Sequence, residues 1–170
     1  MGVLRKDMRP LRTRTLSVAL VLLVLWTYAY DPAGAQQPQP LLVIVGATVT
    51  ATDIGLGKLR SAFQSQPTDL GGVRLIPFNQ PIGERTRQLF DKSVLGLGPD
   101  RVGAFWVDQR VRFSLVAPRA IPTPETILRV VASMRGAIGY VQMNPSQVPS
   151  GVRVLTVDGE RPTATAYPLR

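Results

Sequence analysis

Strand-length apolar runs alternate in this chain with helical stripes, at intervals of 15–30 residues, and that alternation restricts it to an α/β architecture more firmly than any composition value does. Leu41-Leu42-Val43-Ile44-Val45 is a continuous apolar run of strand length, read as a buried strand. Val73 to Phe78, Gly136 to Val141 and Val152 to Val157 read as three more. Between them lie helices. Ile54 to Gln64 carries Leu56, Leu59 and Phe63 on one face, with Gly55 as N-cap and an Ile54–Leu59 staple. A helix opens at Gly98-Pro99, with Val102, Phe105, Trp106 and Phe113 as its apolar side. Another opens at Thr123-Pro124-Glu125, a hydroxyl N-cap followed by proline and an acid, and its stripe is Ile127, Val130, Val131 and Met134. The expected fold is an α/β sandwich with a mixed or mostly parallel sheet flanked by helices.

The first 35 residues stand apart. Arg5, Lys6, Arg9, Arg12 and Arg14 form a basic start, Leu16 to Tyr30 is nearly all apolar, and Ala33-Gly34-Ala35 is a small-x-small site. This is the three-part pattern of a signal peptide, with cleavage expected after Ala35 and a periplasmic or secreted product. The other reading is a retained N-terminal anchor, although an apolar stretch of 15 residues is short for a span of roughly 20. Residues 36–40, Gln-Gln-Pro-Gln-Pro, read as a linker, and residues 41–170 as a single domain with no stable membrane span after cleavage.

Charge and missing residue types exclude several classes. Of the net +9, the leader holds five basic and two acidic residues, which leaves +6 on the remainder. Those cations are nearly all arginine and are scattered, so no nucleic-acid footprint is expected. The chain has no cysteine and no histidine. That removes thiolate or imidazole metal sites, Cys nucleophiles and Ser-His-Asp triads. No carboxylate pair or hydrolase motif stands out. The expectation is a protein without catalysis, metal or cofactor.

One segment carries candidate binding chemistry. Asn79-Gln80-Pro81-Ile82-Gly83-Glu84-Arg85-Thr86-Arg87-Gln88-Leu89-Phe90 reads as a strand end, a glycine turn and a helix start that runs to about Leu95 and is capped by Gly96. The first N–H groups of a helix lack intrahelical partners and its dipole is positive there, which suits an oxyanion. This turn and Gly136-Ala137-Ile138-Gly139-Tyr140-Val141, about fifty residues later, together resemble the phosphate-type substrate-binding proteins of bacterial ABC transporters, of the periplasmic binding protein-like II fold. The Leu56–Phe63 helix and the Val157-Asp158-Gly159…Tyr167-Pro168-Leu169 ending extend the resemblance to about Leu41–Leu169.

In that family a Gly-Ser-Gly-Thr-Arg turn holds phosphate. The resemblance implies Gly83, Thr86 and Arg87 as ligand-binding residues, with Thr86 donating its hydroxyl and Arg87 its guanidinium. Glu84 and Arg85 stand where the family has serine and the second glycine. The local alternative for Arg87 is an ion pair with Glu84 one turn back or Asp91 one turn on. The length is that of about one lobe of a two-lobe receptor. Two partner classes follow: phosphate or another small anion, and, for a lobe used as an interaction module, an envelope protein or a second copy of the chain.

Overall fold

The computed structural model describes Gly2 and residues 39–169. The signal peptide read over residues 1–35 and the first three linker residues, 36–38, lie otherwise outside the described residues. From Gln39 onward the described chain belongs to one unit.

Its centre is strand β1 (Leu41–Gly46), whose six residues are all buried. The run is continuous because both faces are covered. Leu41, Val43 and Val45 join a cluster with Leu59, Phe63, Phe90, Tyr140 and Tyr167. Leu42 and Ile44 join Phe78, Ile121, Ile127 and Val131 on the other face. Burying each of the five apolar side chains contributes about 1.5–3 kcal/mol.

Among the described residues seven further strands follow: β2 (Asp53–Ile54), β3 (Asp69–Leu70), β4 (Val73–Arg74), β5 (Ile76–Asn79), β6 (Arg119–Ala120), β7 (Ala137–Gln142) and β8 (Val152–Val157). Six of the eight form a sheet in the order β2-β8-β1-β7-β5-β6. β1 runs antiparallel to β7 and β8, while β2–β8, β7–β5 and β5–β6 pair in parallel. The sheet is therefore mostly parallel, with β1 as its reversed member. The helices are α1 (Leu56–Phe63), α2 (Arg85–Phe90) continued by a π-helical stretch (Asp91–Leu95), α3 (Pro99–Phe113) and α4 (Pro124–Ser133).

Four expectations need correction. Val73–Phe78 is not one strand. Asp69–Leu70 and Val73–Arg74 form a hairpin through Gly71 and Gly72, both at positive φ (56° and 75°), as a two-residue turn of this kind requires. Leu75 then gives its N–H to the Thr68 carbonyl, and pairing with β7 begins only at Ile76.

Helix α1 starts at Leu56, after Ile54 has paired with Val157 of β8. Asp158 Oδ1 takes the Leu56 N–H at 2.8 Å, and Asp53 Oδ1 takes the Gly159 N–H at 2.8 Å. This reciprocal tie links residues a hundred positions apart. Gly55 is the N-cap as expected, and Ile54 and Leu59 are both buried in the same cluster.

The apolar side expected for α3 does not form. Val102 is its buried residue, Phe105 and Trp106 are half-buried and edge-on, and Phe113 is 61% exposed. α3 leads to β6, the outermost strand of the sheet, and only its first turns reach the core. In α4, Thr123 Oγ1 accepts the Thr126 N–H, and Ile127 and Val131 are fully buried. Met134 is half-exposed instead of in the stripe, because it leaves the helix with extended ψ (121°).

Gly139 of β7 faces α4, where a Cβ would lie 2.8 Å from Ile127 Cγ2. Gly139→Ala is expected to destabilise the protein by about 1–3 kcal/mol through overpacking. Gly103→Ala, in the middle of α3 with open space around it, is expected to stabilise it by up to about 1 kcal/mol. Urea midpoints of the two variants would check both signs.

Candidate functional site

β5 ends at Asn79, and the chain turns through Gln80, Pro81, Ile82 and Gly83 into α2. The turn lies at the carboxyl end of a parallel strand, where open α/β sheets bind ligands. Gly83 has φ +109°, and a Cβ there would meet nothing within 4 Å. Conformation, not crowding, is what favours glycine. Glu84 is the N-cap, with extended backbone and no side-chain cap bond. The α2 and π-helical segments are continuous to Gly96, whose left-handed φ of 69° ends the helix as its sequence position suggests.

A buried polar network underlies this turn. Tyr140 donates its hydroxyl to Asn79 Oδ1 (3.0 Å) and accepts the Gln80 N–H (3.3 Å). Gln80 Nε2 donates to the Tyr140 carbonyl (3.1 Å). Arg87 Nη1 donates to the Gln80 carbonyl (3.0 Å), and Arg87 Nε to Asp91 Oδ2 (2.6 Å). The Tyr140 ring stacks on Phe90 at 3.8 Å and 6°, which locks the network to the core. Asn79, Gln80, Arg87 and Asp91 are each under 5% exposed.

Arg87 is thus neither a surface arginine nor a partner of Glu84. Of the two local ion pairs open to it, the one with Asp91 one turn on is present, and it is buried. Arg87 Nη2 and Asp91 Oδ1 are buried without a protein partner. Burial pushes the Asp91 carboxyl above its ordinary value, and the attraction and hydrogen bond of Arg87 only partly offset this. Burial likewise raises Tyr140 and keeps its hydroxyl protonated as a donor.

Thr86 is half-buried on the first turn of α2. Its hydroxyl lies 3.4 Å from Gln142 Oε1, and Gln142 Nε2 donates to the Gln39 carbonyl (2.9 Å). The expectation that Thr86 donates to a ligand meets a hydroxyl already donating to Gln142. Gly83, Thr86 and Arg87 therefore share one turn but differ in setting: an exposed glycine, a half-buried hydroxyl and a buried guanidinium.

Sequence reasoning gave Asn79, Gln80, Tyr140 and Gln142 no role. The i,i+4 spacing of Arg87 and Asp91 was the visible signal for the pair. Nothing local signalled Gln142, whose partners lie 56 and 103 residues away. Among the described residues no group of three acidic, histidine or cysteine side chains could hold a metal ion. No helix among them is long and apolar enough to cross a membrane.

No protein-family model and no curated protein matches this chain. Solved structures do resemble it. A chain from Clostridium perfringens assigned as a phosphate ABC transporter substrate-binding protein, with phosphate bound, superposes with TM-score 0.57 at 18% identity, over 74% of this chain and 47% of its own. An ABC-type phosphate transport receptor from Vibrio cholerae gives 0.58 at 14% identity, over 77% and 53%. PstS from Borrelia burgdorferi gives 0.54 at 13% identity, over 74% and 49%. The chain shares the fold of these phosphate-type binding proteins and spans about half the length of each.

Breaking the buried pair from one side leaves a charge without compensation. Arg87→Met is expected to cost about 3–5 kcal/mol of stability, and Arg87→Met/Asp91→Leu to recover most of it; chemical denaturation of both variants would check this. Because the folded Asp91 binds its proton more tightly than the ordinary carboxyl at 3.8, its contribution to stability is full below that value and is lost as pH rises through the raised one. The stability of the wild type relative to Asp91→Asn should therefore fall as pH rises across that interval. An acid-range series of urea melts would read it.

Proposed function

We propose that this chain is an exported, non-catalytic binding protein that holds phosphate or another small oxyanion at the Gly83–Arg87 turn. The observation that carries the reading is the shared fold with three phosphate-type binding proteins, one of them with phosphate bound. The turn supplies suitable chemistry. The Glu84 N–H is taken by the Pro81 carbonyl (3.2 Å), but the first N–H groups of α2 beyond it lack intrahelical partners, Thr86 adds a hydroxyl, and Arg87 contributes a positive charge beneath the turn whose Nη2 no protein atom occupies. Export follows from the leader read over residues 1–35, which supports a periplasmic or secreted product.

A second reading has its own observation. Val107, Val111, Phe113 and Val116 are 61–78% exposed on and just after α3. Apolar surface of that kind suits a protein partner, so a lobe of half receptor length could serve as an interaction module. The partner would be an envelope protein or a second copy of the chain.

Calorimetric titration of phosphate into the full 170-residue chain separates the two. The anion reading expects micromolar binding, weakened at least about tenfold in the Arg87→Met/Asp91→Leu variant. No heat at millimolar phosphate from a folded protein would retire it. A mass that rises with protein concentration would then favour the interaction module.

A further inference from the structure

One face of α3 is left uncovered. Val102 is buried, whereas Asp100, Gly103, Ala104, Val107, Arg110 and Val111 are all exposed, Val107 at 65% and Val111 at 78%. Counted from Asp100, the other five fall at i+3, i+4, i+7, i+10 and i+11. That spacing sets them on one outward stripe, with the repeat by which a helix pairs with another helix. The stripe is stepped. A Cβ at Gly103 would meet nothing within 4 Å, and Val107 and Val111 stand beyond this low point. Its charge is polarised, with Asp100 at the N-terminal end and Arg110 toward the C-terminal end. The ion pairs among the described residues are Arg74–Asp69, Arg87–Asp91 and Arg112–Asp108, so Asp100 and Arg110 belong to none of them.

We infer that α3 is the two-fold interface of a homodimer and packs antiparallel against α3 of a second copy. The inference rests on the interaction-module reading, names its partner, and does not depend on the anion turn. A two-fold interface has to be complementary to itself, and this stripe is. In an antiparallel pair, two positions face each other when they lie equally far to either side of the axis. Gly103 and Val107 are each two residues from Phe105, and Asp100 and Arg110 are each five. An axis at the level of Phe105 therefore seats Val107 of each copy over Gly103 of the other. The same register sets Asp100 of each copy against Arg110 of the other. Packing and charge thus call for one arrangement. A lipid surface does not fit this face, because Asp100 within the stripe would be pressed against it.

α3 has 15 residues and is about 22 Å long. One such helix pair covers well under the roughly 800 Å² per partner of a standard interface, so the dimer is weak, with Kd on the order of 10–100 μM. Sedimentation equilibrium of the full 170-residue chain, from micromolar to millimolar protein, is the test. The samples are wild type, Asp100→Arg, Arg110→Asp, the double variant Asp100→Arg/Arg110→Asp, and Val107→Glu. All three positions are exposed, so the circular dichroism of each variant is expected to match wild type. Each single reversal sets like charges together and should weaken the dimer about tenfold. Val107→Glu should abolish it, and the double reversal should restore it close to wild type. A wild type that stays monomeric overturns the inference and leaves an envelope protein as the partner of the interaction module. Phosphate binding by that monomer would retire the interaction-module reading as well. A dimer indifferent to every variant forms through another surface and overturns the inference, as does a double variant no tighter than the single ones.

Discussion

Everything in this fold is arranged around a strand with two buried faces. β1 lies between β7 and β8, and its side chains alternate between α1 with the π-helical stretch on one side and α4 on the other. The helical layers share that packing surface with β7, which adds Ile138 and Tyr140 on one side and Ala137 and Val141 on the other. The reversed direction of β1 matters as well. The start of β1 lies beside the end of β7, where Leu41 pairs with Gln142. The chain therefore enters the sheet at the end where β5 gives way to the candidate turn. The tail is fixed to the same place, since Tyr167 donates its hydroxyl to the Leu41 carbonyl.

The turn inherits its rigidity from that core. Tyr140 is a β7 residue paired with Val43, and its ring stacks on Phe90 while its hydroxyl and carbonyl hold Asn79 and Gln80. Arg87 then grips the Gln80 carbonyl from the helix side. A buried ion pair is weak evidence for stability, because desolvation of two charges offsets their attraction. Burial raises the Asp91 carboxyl more than the charge and hydrogen bond of Arg87 lower it. The pair is better understood as fixing the angle between β5 and α2, with the Gly83–Thr86 backbone presented on top.

Much of this was legible in the sequence, and what was missed has a physical pattern. Regular periodicity and local caps read correctly: the Leu41–Val45 run, the Gly55 and Thr123 N-caps, Gly96 as a left-handed cap, and Gly139 as a close approach. Errors arose where a contact between distant residues overrides local preference. Asp158 caps α1 from a hundred residues away, and β8 captures Ile54 from the helix it was assigned to. The α3 stripe misled because amphipathic spacing states only that a face is apolar, not that something covers it. At the candidate site, Gly83, Thr86 and Arg87 were suggested by motif, and of the two acids at helical spacing from Arg87, Asp91 is the one that pairs with it. The roles of Tyr140, Gln80 and Gln142 depend on strand pairing that sequence spacing does not encode.

The proposed oxyanion site is the backbone of the turn at the end of β5. The most direct measurement is amide NMR of the isotope-labelled full chain during a phosphate titration. Saturating shifts centred on the amides of Gly83 to Arg87, with smaller ones at Gln142, are the predicted result. Shifts centred on α3, or none at all in a folded protein, would contradict it.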